Sequence, residues 1–139
     1  MKYKIKVYTE QRYESHTDCE EKAFEGTLAK KNDSLFLIYK EVDKETGVET
    51  TNQLKVANDG TISVRRMGAV QSILHFTKDK SYTTFYNTGH GVMELIFTPH
   101  VVKYKEEPFS YEIELRYAIC MGDSKLSDNV YILKATPLS

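Results

Sequence analysis

From Phe109 to Ile119 every second residue is apolar or aromatic: Phe109, Tyr111, Ile113, Leu115, Tyr117 and Ile119. Between them stand Ser110, Glu112, Glu114, Arg116 and Ala118, with Cys120 following on the same side. Successive side chains of a β-strand point to opposite faces, so a strict period of two specifies a strand with one core face and one wet face. The pattern predicts that Phe109, Tyr111, Ile113, Leu115 and Tyr117 are buried and that Glu112 and Glu114 are exposed.

The same grammar of short alternating runs and turn residues fills the rest of the chain. Tyr3, Ile5 and Val7 alternate with Lys2, Lys4 and Lys6, lysines that either protect a sheet edge or meet water. The polar stretch from Glu14 to Lys22 reads as an exposed loop. Thr17 and Glu20 match a capping box, but no helical apolar stripe follows them. Phe24, Gly26 and Leu28 share a strand face, and Leu35 to Tyr39 is apolar on both faces, the mark of a central strand. Alternation resumes from Val48 to Val56, reverses at Asn58-Asp59-Gly60, and continues through Ile62, Val64 and Arg66. Leu74 and Phe76 end the next strand. Ser81 to Phe97 reads as a hairpin about Thr88-Gly89-His90-Gly91, Pro99 marks a bulge, bend or edge, and a last strand runs from about Lys125 to Thr136. Nine or ten strands with turns every 8–12 residues are the spacing of a sandwich or barrel.

At 139 residues the chain is one domain's length, able to bury about 68% of its unfolded surface without a metal or disulfide. Nineteen basic and 20 acidic residues leave a net charge of −1, with no basic stripe of the kind nucleic acids require. No apolar run approaches the ~18 residues of a membrane-spanning helix. Two cysteines, Cys19 and Cys120, neither in a CxxC pair, point to a reducing cytoplasmic setting without a disulfide.

Few residues carry a chemical signal. Period two places Arg66 on the face of Ile62 and Val64, where a guanidinium needs a partner or water. It is either an arginine inside a barrel awaiting a carboxylate or phosphate, or a rim arginine with a packed stem, or half of an internal ion pair. Under the first alternative its surroundings lack a carboxylate. Tyr82, Thr84, Tyr86 and Thr88 share a strand face and, with Thr50 and Asn52, give a cavity an amphipathic lining; the same residues also serve as ordinary strand packing. Gly89-His90-Gly91 lacks the lysine-serine pair and helix of a phosphate loop and reads as a turn. His75, His90 and His100 have no metal-binding spacing, and Glu112 and Glu114 read as an exposed charge ladder beside Arg116. No nucleophile motif is present.

Ile62-x-Val64-x-Arg66-x-Gly68, then Leu74-x-Phe76, then Tyr86-x-Thr88-x-x-Gly91 resembles the YwiB-like proteins, small bacterial proteins grouped as a domain of unknown function. The resemblance extends over almost the whole chain. It implies a calycin-like β-barrel, related in shape to lipocalins and fatty-acid-binding proteins, and a bacterial cytosolic source. It brings no established activity and no catalytic residues. The turn here reads Gly89-His90 where the family tends to have a proline-aromatic pair.

The expectation is an all-β chain, residues 1–139 as one antiparallel up-and-down barrel of eight to ten strands. It is expected to be a cytoplasmic, non-catalytic binding module for a small apolar or amphipathic ligand, with no cofactor and no metal, nucleic-acid or membrane partner. Arg66, Tyr82, Thr84, Tyr86, Asn52 and Thr50 are its candidate interior residues. The alternative is a packed barrel acting as a structural or protein-interaction module, and self-association stays open.

Overall fold

The computed structural model describes residues 2–68, 71–87 and 89–138. Ten strands form one antiparallel sheet: β1 (Lys2–Arg12), β2 (Thr17–Lys31), β3 (Ser34–Val42), β4 (Glu49–Val56), β5 (Ile62–Met67), β6 (Ser72–Phe76), β7 (Tyr82–Asn87), β8 (Val92–Glu107), β9 (Ser110–Met121) and β10 (Ser124–Pro137). Their order is β6-β5-β4-β3-β2-β1-β10-β9-β8-β7. Each strand therefore pairs with its sequence neighbour, the first and last strands pair with each other, and the ladder is interrupted between β6 and β7. The sheet curls into a nearly closed up-and-down barrel, the member of the sandwich-or-barrel pair that the family resemblance implies. Among the described residues there is no helix, hence none long and apolar enough to cross a membrane.

Partners in an antiparallel register share a face, so the pairings trace the barrel interior directly. Val7 opposes Leu133, which opposes Ile113, and Leu54 opposes both Leu37 and Val64. Ile5, Leu37, Leu54, Ile62, Ile113, Leu115 and Leu133 are 0–1% exposed and fill one half of the barrel. Gly26 faces inward between Tyr3 and Tyr39; a Cβ there would run into the Ile5 side chain and the Ile38 carbonyl, so the position needs glycine for close approach.

Several expectations need correction. Of the stretch Glu14 to Lys22 only Glu14 to His16 is loop: β2 begins at Thr17, and its first half pairs with the second half of β1 from Arg12↔Thr17 to Val7↔Lys22. The backbone ladder holds this stretch, and its side chains stay exposed, so no apolar alternation marks it. Phe109 is 79% exposed because it lies in the two-residue turn between β8 and β9, where no strand opposes it. Ile113 and Leu115 are buried and Tyr111 and Tyr117 half-buried. Glu112 and Glu114 are half-buried too, flanked across the sheet by Lys134 and Lys105 and by Ile132 and Lys103. The Leu35–Tyr39 run buries one face only, with Ile38 36% exposed on the other. Lys2, Lys4 and Lys6 face solvent from the middle of the sheet, not an edge. Pro99 does sit at a bulge, since the β8–β9 register shifts between Pro99 and Val101.

Cys19 and Cys120 are free thiols. Thermal stability is therefore expected to be the same with and without reductant. A loss of several kcal/mol on reduction, the usual strength of a bridge, would contradict this reading.

Candidate functional site

The inward rows run on past the packed half into an open mouth at one end of the barrel. Here Thr9 opposes Tyr131, Tyr39 opposes Asn52, and Asn52 opposes Arg66. The mouth encloses an open cavity of about 480 Å³. Its floor and walls include Phe24, Tyr39, Val64, Leu74, Tyr117 and Tyr131. The Tyr39 ring stacks on Phe24 with centroids 4.8 Å apart, and its hydroxyl shares a 2.9 Å hydrogen bond with that of Tyr131. Burial pushes the phenols of Tyr39 and Tyr117 up to about 12 and that of Tyr131 well above its ordinary value. These hydroxyls stay protonated at neutral pH and serve as hydrogen-bonding groups, not bases.

Above the floor lies a relay across three strands. Arg66 Nε donates to Asn52 Oδ1 at 3.2 Å, and Asn52 Nδ2 donates to Glu41 Oε1 at 3.0 Å. Arg66 Nη2 stands 4.0 Å from Glu41 Oε1. Asn52 is 2% exposed, whereas the Arg66 side chain is 53% exposed. Arg66 is thus a rim residue with a carboxylate neighbour, as in the rim and ion-pair alternatives and unlike the unpartnered interior one. The rim also carries Asp18, Glu20 and Lys22, with Lys22 Nζ 2.7 Å from Glu20. Beside the mouth, Asn129 is 3% exposed, and its register partners Gln11 and Tyr117 line the cavity. Its Nδ2 donates to Ser127 Oγ at 2.9 Å and to the Tyr117 carbonyl at 3.4 Å, while its Oδ1 has no partner among the described residues.

A second open cavity, of about 620 Å³, lies along the interrupted ladder between β6 and β7 and shares Arg66 and Leu74 with the mouth. Tyr82 and Thr84 line it. The candidate residues therefore divide: Asn52 and Arg66 belong to the mouth, and Tyr82, Thr84 and again Arg66 to the lateral cleft. Thr50 lines neither; it is half-buried against Gly68, where a Cβ would come within 2.7 Å of its Oγ1. Tyr86 is a strand position opposite Met93 whose side chain, like all of Thr88, lies outside the described residues.

Glu41, Tyr39 and Tyr131 were not among the residues singled out from sequence. The available signal was parity: Tyr39 and Glu41 continue the row of Leu35 and Leu37. Asp18, Glu20 and Lys22 likewise continue the row of Phe24 once β2 is recognised as a strand. His75, His90 and His100 are all exposed, and among the described residues no three metal-ligating side chains converge.

A family profile described as a domain of unknown function, DUF1934, matches residues 5–133. The fold is similar to that in the crystal structure of the ywiB protein from Bacillus subtilis, with a TM-score of 0.82 at 18% identity, covering 99% of this chain and 92% of that one. No curated protein matches the sequence.

Proposed function

The chain belongs to the DUF1934 family, a domain of unknown function, and we propose that it is a non-catalytic binding module that takes a small amphipathic ligand into the mouth of its barrel. The observation that carries this reading is the cavity of about 480 Å³, which passes from an aromatic and aliphatic floor to the Glu41–Asn52–Arg66 relay. That size, with an apolar floor beneath a polar and charged rim, suits a small amphipathic molecule.

The charges at the mouth narrow the head group. Three carboxylates (Asp18, Glu20, Glu41) and two cations (Lys22, Arg66) line it, so a free anion gains little there. The relay offers both guanidinium donors and a carboxylate acceptor. A neutral head that both donates and accepts, an amide or alcohol on an apolar body, answers it best.

The test is a thermal-shift and tyrosine-fluorescence titration with decanoamide, decanol and decanoate; ten tyrosines and no tryptophan make the mouth phenols visible. The amide and alcohol are expected to raise Tm more than the acid does. Arg66→Met is expected to weaken amide binding by about 1.5–3 kcal/mol, the range for a hydrogen bond to a charged group. It should cost only about 0.5–1.5 kcal/mol of stability, since the ion pair is long and half-exposed. If no amphiphile shifts Tm or tyrosine emission, the binding reading is lost. The packed-barrel interaction module then takes its place, a reading that the interrupted ladder between β6 and β7 favours.

A further inference from the structure

We propose that the seam between β6 and β7 accepts an extended acidic segment of a partner polypeptide, which pairs along β6 as an added strand. The two strands end the sheet order and face each other across the turn that joins them. A single bridge, Thr77↔Lys80, ties them at the turn. Beyond it, among the described residues, a side chain spans the gap: Tyr82 Oη donates to the Ile73 carbonyl at 3.4 Å.

That bond shows which way the β6 edge points. Ile73 presents its carbonyl to the seam, away from β5. In an antiparallel strand the N–H and C=O of one residue point the same way, and the direction repeats every second residue. Ile73 and His75 therefore present a row of donors and acceptors to the seam, the template that strand addition uses.

Side chains on both faces of the gap fit an extended chain. Leu74, Leu95 and Phe97 line it from inside, while Ile73, Phe85 and Val92 are 39%, 67% and 68% exposed on the outer face. A strand laid between them alternates its side chains inward and outward and meets apolar surface on each side. With five residues, β6 is about 17 Å long and matches a peptide of about five to seven residues.

Charge selects the occupant. Among the described residues the cleft of about 620 Å³ is lined by Arg65, by Arg66, whose other partners are Asn52 and Glu41, and by no carboxylate. Arg65 is exposed and has no hydrogen bond or ion pair among the described residues. The turn Lys78-Asp79-Lys80 adds one net positive charge, and Glu94 is the acidic residue on the neighbouring outer face, opposite Phe85. A second copy paired edge to edge would bring the arginines of two chains together, whereas an acidic segment meets them with opposite charge.

The probe is a capped peptide of alternating valine and glutamate, about seven residues long, with its valine–lysine counterpart as control. Both are titrated against the full chain while backbone amide exchange is followed by NMR. The expected result is exchange at Ile73 and His75 slowed about tenfold or more by the glutamate peptide, with the lysine peptide binding at least about tenfold more weakly. Ile73→Pro removes one seam-facing N–H without touching the β5 ladder, and should abolish the protection. Arg65→Glu, at a side chain with no partner to lose, should reverse the preference between the two peptides even if Ile73→Pro folds poorly. Absence of protection at Ile73 and His75 at about 1 mM peptide, equal binding of both peptides, or a concentration-dependent dimer that protects β6 without peptide would each overturn the proposal.

Discussion

Phe76→Ala is expected to destabilise the protein by about 3–5 kcal/mol, the range for truncating a buried phenylalanine. Phe76 is 2% exposed and lies on a strand that pairs with β5 on one side only. Its ring contacts Tyr117 at 4.9 Å and Phe97 at 6.4 Å between centroids, and those two rings are 5.7 Å apart. Phe97 belongs to β8 and Tyr117 to β9, so this cluster joins the two ends of the sheet where no backbone ladder does. Truncation removes the transfer free energy of the ring and the edge-to-face contact together. Denaturant unfolding gives the size of the loss. Hydrogen exchange gives its place, with β5 and β6 amides accelerated before those of β1 and β10. Phe85→Ala is the control: 67% exposed on the outer face of β7, it should change stability by no more than about 0.5 kcal/mol. A cost below about 1 kcal/mol for Phe76→Ala would mean that the seam is held closed by something other than this cluster.

Leu115→Ala is expected to cost about 2–5 kcal/mol. Leu115 is 1% exposed, with Tyr131 and Val102 opposite it on the flanking strands. Strands on both sides hold the backbone in register, so the wall cannot collapse into the void and the cavity term stays near its full size. Phe109→Ala, six positions earlier in the same alternating run, should be nearly silent because Phe109 is 79% exposed in a turn. The pair is a direct test of where the run enters the barrel. A change under about half a kcal/mol at Leu115 would remove β9 from the barrel wall.

The two substitutions also separate local information from tertiary information. The alternation in Phe109–Ile119 is identical in kind at both ends, and it correctly assigns Ile113 and Leu115 to the interior. It says nothing about whether a strand lies opposite, and that is what leaves Phe109 in water. The same division runs through the candidate site. Period two places Arg66, Asn52, Tyr82 and Thr84 on inward rows because pleat direction is a property of the strand itself. It does not reveal that Glu41, Asn52 and Arg66 converge, because their meeting depends on the registers β3–β4 and β4–β5.

What the sequence by itself determined was therefore the strand class, a strand number of eight to ten, an irregularity at Pro99 and the inward parity of residues such as Ile5, Leu54, Ile113 and Leu115. All of these follow from period two and from turn and proline chemistry acting over a few residues. Only the tertiary structure decided that Thr17–Lys22 is strand, since a ladder to β1 stabilises a polar segment that buries no face of its own. Pairing of the first strand with the last, between chain ends more than a hundred residues apart, left β6 and β7 as the two edges. With that choice came the seam and the lateral cleft, while the registers of β3, β4 and β5 set the engaged state of Arg66. Each is a relation between strands, set by pairing and register, and side-chain periodicity within one strand carries no information about such relations.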